Sequence, residues 1–228
     1  MFFFFNFNPY IAIIGDIKNS RELNNRRDVQ DKLKSVLDSV NCKYESSISA
    51  KFMITLGDEF QGLLCRGSVV LDIVEEIQSK MYPVQIRFGI GIGQITTEIN
   101  AEMAIGADGP GYYKAREAIE QLKRSEQKSK TSSSDVRIEI EEDEHSISEL
   151  LNTIFTLMSV IKNNWSERQR EIVWEFEESG ENQIECAEKL NVSQSTVQRS
   201  LVSSNYYAYK DAKKSVNTIL EEIGEVRV

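Results

Sequence analysis

Along the first two thirds of the chain, apolar residues switch between strand-like and helix-like periods. Tyr10 to Gly15 is a nearly continuous apolar run ended by Gly15 and Asp16, the pattern of a strand buried on both faces. Val29, Leu33, Val36, Leu37 and Val40 then recur at helical spacing with charged residues between them, which predicts an amphipathic helix over 24–41. Residues 51–65 read as two β-compatible runs about a Gly57-Asp58 corner, a hairpin holding the carboxylates of Asp58 and Glu59 at its tip. A second helix follows over 68–81, where Val69, Val70, Ile73, Val74 and Ile77 alternate with acidic positions. Residues 84–95 form a further strand pattern with Gly89, Gly91 and Gly93 on one face. Glycines so placed remove every Cβ there, which admits a ligand or, on the plainer reading, a helix packed tightly across the sheet.

Gly106 to Gly111 is a loop by composition, and 112–123 reads as a helix carrying Arg116 and leading to Arg124. Residues 125–135 are polar, 136–140 alternate as an edge strand should, and Glu141 to Glu144 is an acidic run. The order of strand, helix, hairpin, helix, strand, loop-helix and edge strand predicts an α+β, ferredoxin-like sandwich with helices on one side of a mainly antiparallel sheet. In that topology Asp16, at the end of the first strand, converges on Asp58. Two converging carboxylates repel unless a cation lies between them, and oxygen ligands of this kind suit Mg²⁺ or Mn²⁺.

The last third is helical throughout. Ile147, Leu150, Leu151, Ile154, Phe155, Met158 and Ile161 make one broad stripe on a connecting helix, with a role in packing or as a dimer seam. Ser166 caps a helix ended by Gly180, and 181–190 is a short second helix. After the turn Asn191-Val192-Ser193, a third helix points Val197 and Leu201 inward, which leaves Gln194, Ser195, Thr196, Gln198, Arg199 and Ser203 outward as candidate DNA contacts. The expected organisation is therefore an α+β domain over 1–144, a connecting helix over 145–164 and an all-α helix-turn-helix domain over 165–228.

Charge narrows the function. Lys and Arg number 27 against 36 Asp and Glu, a net charge of −9, so any DNA contact is local. Three widely spaced cysteines, Cys42, Cys65 and Cys186, fit no zinc-ligand spacing and suggest a reducing, cytoplasmic compartment. The Phe2 to Phe5 run lacks a cationic flank and is too short to span a membrane, and reads as an aromatic extension. His145, the only histidine, lies in the acidic segment and offers no basis for histidine catalysis.

Gly15-Asp16-Ile17, Leu56 to Phe60, Arg87 to Gly93 and Ala115-Arg116 resemble, in order and rough spacing, the class III nucleotidyl cyclase and GGDEF catalytic domains over about residues 9–142. Gly15 to Ile17, Gly57 to Gly62 and Gly106 to Pro110 resemble more closely the SatD family. The cyclase resemblance implies Asp16 and Asp58 as metal ligands and Arg116 near a nucleotide's phosphates; Lys18, Glu59 and Asp108 are further candidates for the nucleotide and phosphate site, and no catalytic residue is assigned. Ile54 stands where adenine-selecting cyclases carry lysine, Tyr112 where they carry asparagine, and Leu56 replaces the first glycine of a GGDEF loop. The segment around 183–201 resembles the helix-turn-helix of sigma-factor region four. Together these imply a DNA-binding regulator that senses a nucleotide or divalent metal. The alternatives are an active nucleotidyl cyclase or related phosphoryl-transfer enzyme, and a non-catalytic interaction scaffold; a homodimer is compatible with each.

Overall fold

The computed structural model describes residues 5, 7–23, 25–128, 134–143 and 146–223. Phe2 to Phe4, Glu144, His145 and the first residue of the helix expected over 24–41 lie outside them. Five strands, β1 (Tyr10–Ile17), β2 (Ile48–Leu56), β3 (Glu59–Leu64), β4 (Ile86–Gly93) and β5 (Val136–Ile140), form one sheet in the order β2-β3-β1-β4-β5. Four of them pair antiparallel in the ferredoxin-like order, and β5 joins the β4 edge in parallel. Helices α1 (Arg26–Lys43), α2 (Val70–Met81) and α3 (Pro110–Lys128) are the sheet's crossovers. The fold is α+β, as the order of periods predicts.

Alternation along β1 explains the two cores. Ile11, Ile13 and Ile17 face a large core with residues of α1 and α2, while Ala12 and Ile14 face a smaller one with Tyr112, Ala115 and Ile119 of α3. Helices therefore cover both faces of the sheet, where the sequence pattern suggested one. The reason is the glycine track on β4. A Cβ on Gly91 would lie 2.0 Å from the Gly111 carbonyl oxygen, and one on Gly89 2.3 Å from that of Ala115, so α3 sits directly on the strand backbone. Of the two readings of those glycines, close helix packing is the one observed. The helix also runs to Lys128, beyond the expected end at 123, and its last turns supply Lys123 and Glu126 to the site described below.

The chain continues as α4 (Ile147–Asn163), α5 (Glu167–Glu178), α6 (Gln183–Lys189), α7 (Gln194–Ser203) and α8 (Tyr206–Leu220). Helix α4 lies along the outer edge of β5, where Asn152 donates to the Ile138 carbonyl and accepts from its N–H, each at 2.8 Å. One buried amide thereby satisfies a sheet edge that would otherwise be open to pairing. The large core runs on without a break through Leu151, Phe155, Trp165, Phe176, Val197, Leu201 and Leu220, so the helical half is built onto the sheet half. Polar contacts reinforce that seam. Glu75 of α2 accepts from Tyr209 of α8 at 2.5 Å and pairs with Lys213, which lies 3.1 Å from Asp72. The Arg170 guanidinium packs over the rings of Tyr82, Trp165 and Trp174, 5.2 to 5.8 Å from their centroids. No helix among the described residues is long and apolar enough to cross a membrane.

Candidate functional site

The hairpin turn Gly57-Asp58 joins β2 and β3 in two residues, with Gly57 at φ +60°, a conformation that glycine adopts without strain. The Asp58 carbonyl accepts from Ile17 N–H at 3.0 Å, which ties the turn to the end of β1. In the sheet register Asp16 pairs with Glu59 on one side and with Arg87 on the other. All three side chains project toward the face that α3 covers. The backbones of Asp16, Asp58 and Glu59 thus meet at one corner of the sheet.

The corner contains cations of its own. Asp16 is 7% exposed, and both its oxygens are engaged, Oδ2 by Arg87 at 2.6 Å and Oδ1 by Lys123 at 2.8 Å. Arg87 also holds Glu126 at 2.5 Å, and Lys18 bridges Glu126 at 2.7 Å and Asp135 at 2.6 Å. Three carboxylates and three cations therefore alternate in one chain of ion pairs. Burial alone would lower the Arg87 pKa, but its bonds to Glu126 and Asp16 outweigh burial and raise it. At Glu126 burial pushes the carboxyl upward, and the bonds from Arg87 and Lys18 bring it below its ordinary value. Asp58 accepts from the Ser20 hydroxyl, and Glu59 lies 3.7 Å from Arg116. Arg116 and Lys123, seven residues apart on α3, present their outer parts to solvent, 56% and 43% exposed.

Of the expected phosphate set, Lys18, Glu59 and Arg116 belong to this corner, and Asp108 does not. Helix α3 runs antiparallel to β4, so its N-terminus meets Gly93 whereas Asp16 is level with Arg87. Six residues of strand separate those levels, roughly 20 Å at 3.3 Å per residue. Asp108 there bonds Tyr113 at 2.8 Å and accepts Thr96 N–H on its carbonyl, bracing the loop. Sequence reasoning missed Arg87, Lys123, Glu126 and Ser20. The signal for two of them was present: Arg87 shares the glycine face of its strand, and Lys123 shares the face of Arg116. Among the described residues, no three His, Cys, Asp or Glu side chains gather as a metal cradle.

The second candidate surface is α7. Asn191, at φ +51°, reverses the chain after α6, and Val192 N–H returns to the Ala187 carbonyl at 2.9 Å. Ser193 caps α7 through Thr196 N–H. Val197 and Leu201 are fully buried; Gln194, Ser195, Gln198, Arg199 and Ser203 are exposed, and Thr196 is half-buried. The Gln198 amide oxygen accepts from Gln183 at 2.5 Å and from Tyr207 at 3.2 Å, which leaves its NH₂ group outward. Two lysines of α8 near this surface are already paired, Lys213 with Glu75 and Asp72, and Lys210 with Glu181. Tyr206 and Tyr209 are buried packing residues, and Tyr207 is exposed.

The model of the SatD family matches residues 10–220. No curated protein matches the chain. Among solved structures, the catalytic core of a rhodopsin-guanylyl cyclase with converted specificity, in complex with ATPalphaS, is 15% identical over 49% of this chain and 71% of its own, with a TM-score of 0.36. The regulator of polyketide synthase expression from Bifidobacterium adolescentis is 15% identical over 97% of this chain and 87% of its own, with a TM-score of 0.30. At that identity and with TM-scores below 0.5, neither likeness bears on function.

Proposed function

This chain belongs to the SatD family, and we propose that it is a DNA-binding transcriptional regulator whose α+β half senses a nucleotide. The observation that carries the DNA reading is α7: an outward row of amide, hydroxyl and guanidinium groups, with no acidic residue from Val192 to Lys210, on a body of net charge −9. Such donors match base edges and phosphates, and the remaining acidity keeps nonspecific binding low. The nucleotide reading rests on the corner at Asp16. Arg116 and Lys123 carry their charged ends into solvent, 56% and 43% exposed, and so can turn from Glu59 and Asp16 to a phosphate.

The metal is part of the same proposal. Asp16 is ion-paired on both oxygens, so the corner is not a ready cage for a resident ion. It suits Mg²⁺ or Mn²⁺ arriving with a nucleotide's phosphates, with Asp16 and Asp58 as the protein's two carboxylates. The ion would supply charge neutralisation of the phosphates. Arg87 would keep its hold on Asp16, while Lys123, the more exposed partner, would turn to the anion.

Selection of bound duplexes from a random pool, followed by gel shift with and without NTP and Mg²⁺, tests this reading. Enrichment of a sequence, a nucleotide-dependent change in its affinity, and a loss of roughly 1–3 kcal/mol in Arg199→Ala are expected if that residue reads a guanine. Failure to enrich any sequence in either condition overturns it. A second reading, metal-dependent phosphoryl transfer, is favoured by Asp16 and Asp58 lying on one corner beneath the exposed cations Arg116 and Lys123. It requires pyrophosphate release from an NTP that Asp16→Asn and Asp58→Asn abolish.

A further inference from the structure

Gln198, on the second turn of α7, is held by side chains of two other helices. Its Oε1 accepts from the half-buried Gln183 amide at the start of α6, at 2.5 Å, and from the Tyr207 hydroxyl in the first turn of α8, at 3.2 Å. Gln183 Oε1 in turn accepts from the Gln194 amide at 3.5 Å. Three amides and a phenol therefore run in one donor order. The order ends at the exposed NH₂ group of Gln198, from which no described residue accepts. Offering Oε1 outward instead would require all three amides to turn together and the Tyr207 proton to find another acceptor.

Resting on the DNA reading above, we propose that Gln198 is a specificity-determining residue that reads guanine as a donor alone, with Gln183 and Tyr207 as its positioning residues. The usual glutamine contact in the major groove is bidentate to adenine, the carbonyl taking N6–H and the NH₂ group meeting N7. Here the carbonyl already has two donors, so that pairing is closed. A lone NH₂ group meets two acceptors on guanine, O6 and N7. On adenine it meets one acceptor beside an N6 donor that repels it, on thymine the single acceptor O4, and on cytosine only a donor. Guanine therefore gains most. No carboxylate between Val192 and Lys210 competes for the NH₂ group.

Selection of bound duplexes from a random pool tests this on the full chain, on Gln198→Ala and on the double variant Gln183→Ala/Tyr207→Phe, with thermal melts to confirm the fold. In the wild type one position of the selected site should be held to guanine. Replacing that base by 7-deazaguanine, which lacks the N7 acceptor, should weaken binding about fivefold or more. Gln198→Ala should lose both the preference at that position and the deaza effect. The double variant frees Oε1 and should move the position toward adenine, a change that lost packing alone would not produce. If no duplex enriches, the DNA reading fails and this inference with it. If duplexes enrich but Gln198→Ala relaxes no position, or that position is adenine in the wild type, or the double variant keeps guanine, the inference is overturned and the DNA reading stands.

Discussion

Glu177 offers a test of the seam between the sheet and the helices. Its carboxylate lies on α5 against Glu75 of α2, Lys162 of α4, and Lys213 and Tyr206 of α8. Burial, and then the charge of Glu75, raise its pKa from 4.5 to about 7, against the opposing pull of Lys213 and Lys162. A raised carboxyl pKa means that the folded state holds a proton which the unfolded chain has lost. The contribution is therefore fully present below about pH 4.5 and disappears as pH rises through 7. At roughly 1.4 kcal/mol per pH unit, the ionised form costs at most about 3 kcal/mol at pH 8. Glu177→Gln keeps the shape and removes the charge. Urea unfolding at pH 5 and pH 8 should find the variant close to wild type at the lower pH and up to about 3 kcal/mol more stable at the higher, on the order of 5–10 °C in Tm. An equal difference at the two pH values would show that the carboxylate does not titrate in this window and refute the argument.

Three further perturbations probe the packing and the corner. Asn152→Ala strands the N–H and C=O of Ile138 at the β5 edge and should cost about 2–4 kcal/mol in urea unfolding; a cost below about 0.5 kcal/mol would mean that water replaces the amide. Gly91→Ala drives a Cβ into the α3 backbone and should cost about 3 kcal/mol or more by thermal melting; a melt matching wild type would show that α3 can lift from the strand. Asp16→Asn uncouples Arg87 and Lys123 and should destabilise by about 3–5 kcal/mol, whereas Lys123→Met should cost under about 1 kcal/mol; equal costs by chemical denaturation would contradict the inner and outer roles of the two cations.

Much of the fold was legible because its signals are local. The continuous apolar run of β1, the Gly57-Asp58 corner and the heptad-like stripes of α2 and α4 each reflect a period of two or 3.6, and a period needs no knowledge of the partner. The meeting of Asp16 with the hairpin tip followed from topology alone. What lies across a sheet or beneath a helix is different. The glycines at 89, 91 and 93 announced a close approach without saying whether a ligand or a helix makes it, and the direction in which α3 crosses β4 removed Asp108 from the corner.

The sequence by itself therefore determined the order of elements, the α+β class and the carboxylates at the strand ends, since backbone propensity and burial pattern are properties of neighbouring residues. Only the tertiary structure decided that Arg87 and Lys123 hold both oxygens of Asp16, that Asn152 closes the sheet edge, and that Leu150, Leu157 and Val160 face outward. Those outcomes depend on residues 14 to 107 positions apart being brought within bonding distance. A charge or an amide is satisfied by whatever the fold places beside it, and separation along the chain carries no record of that.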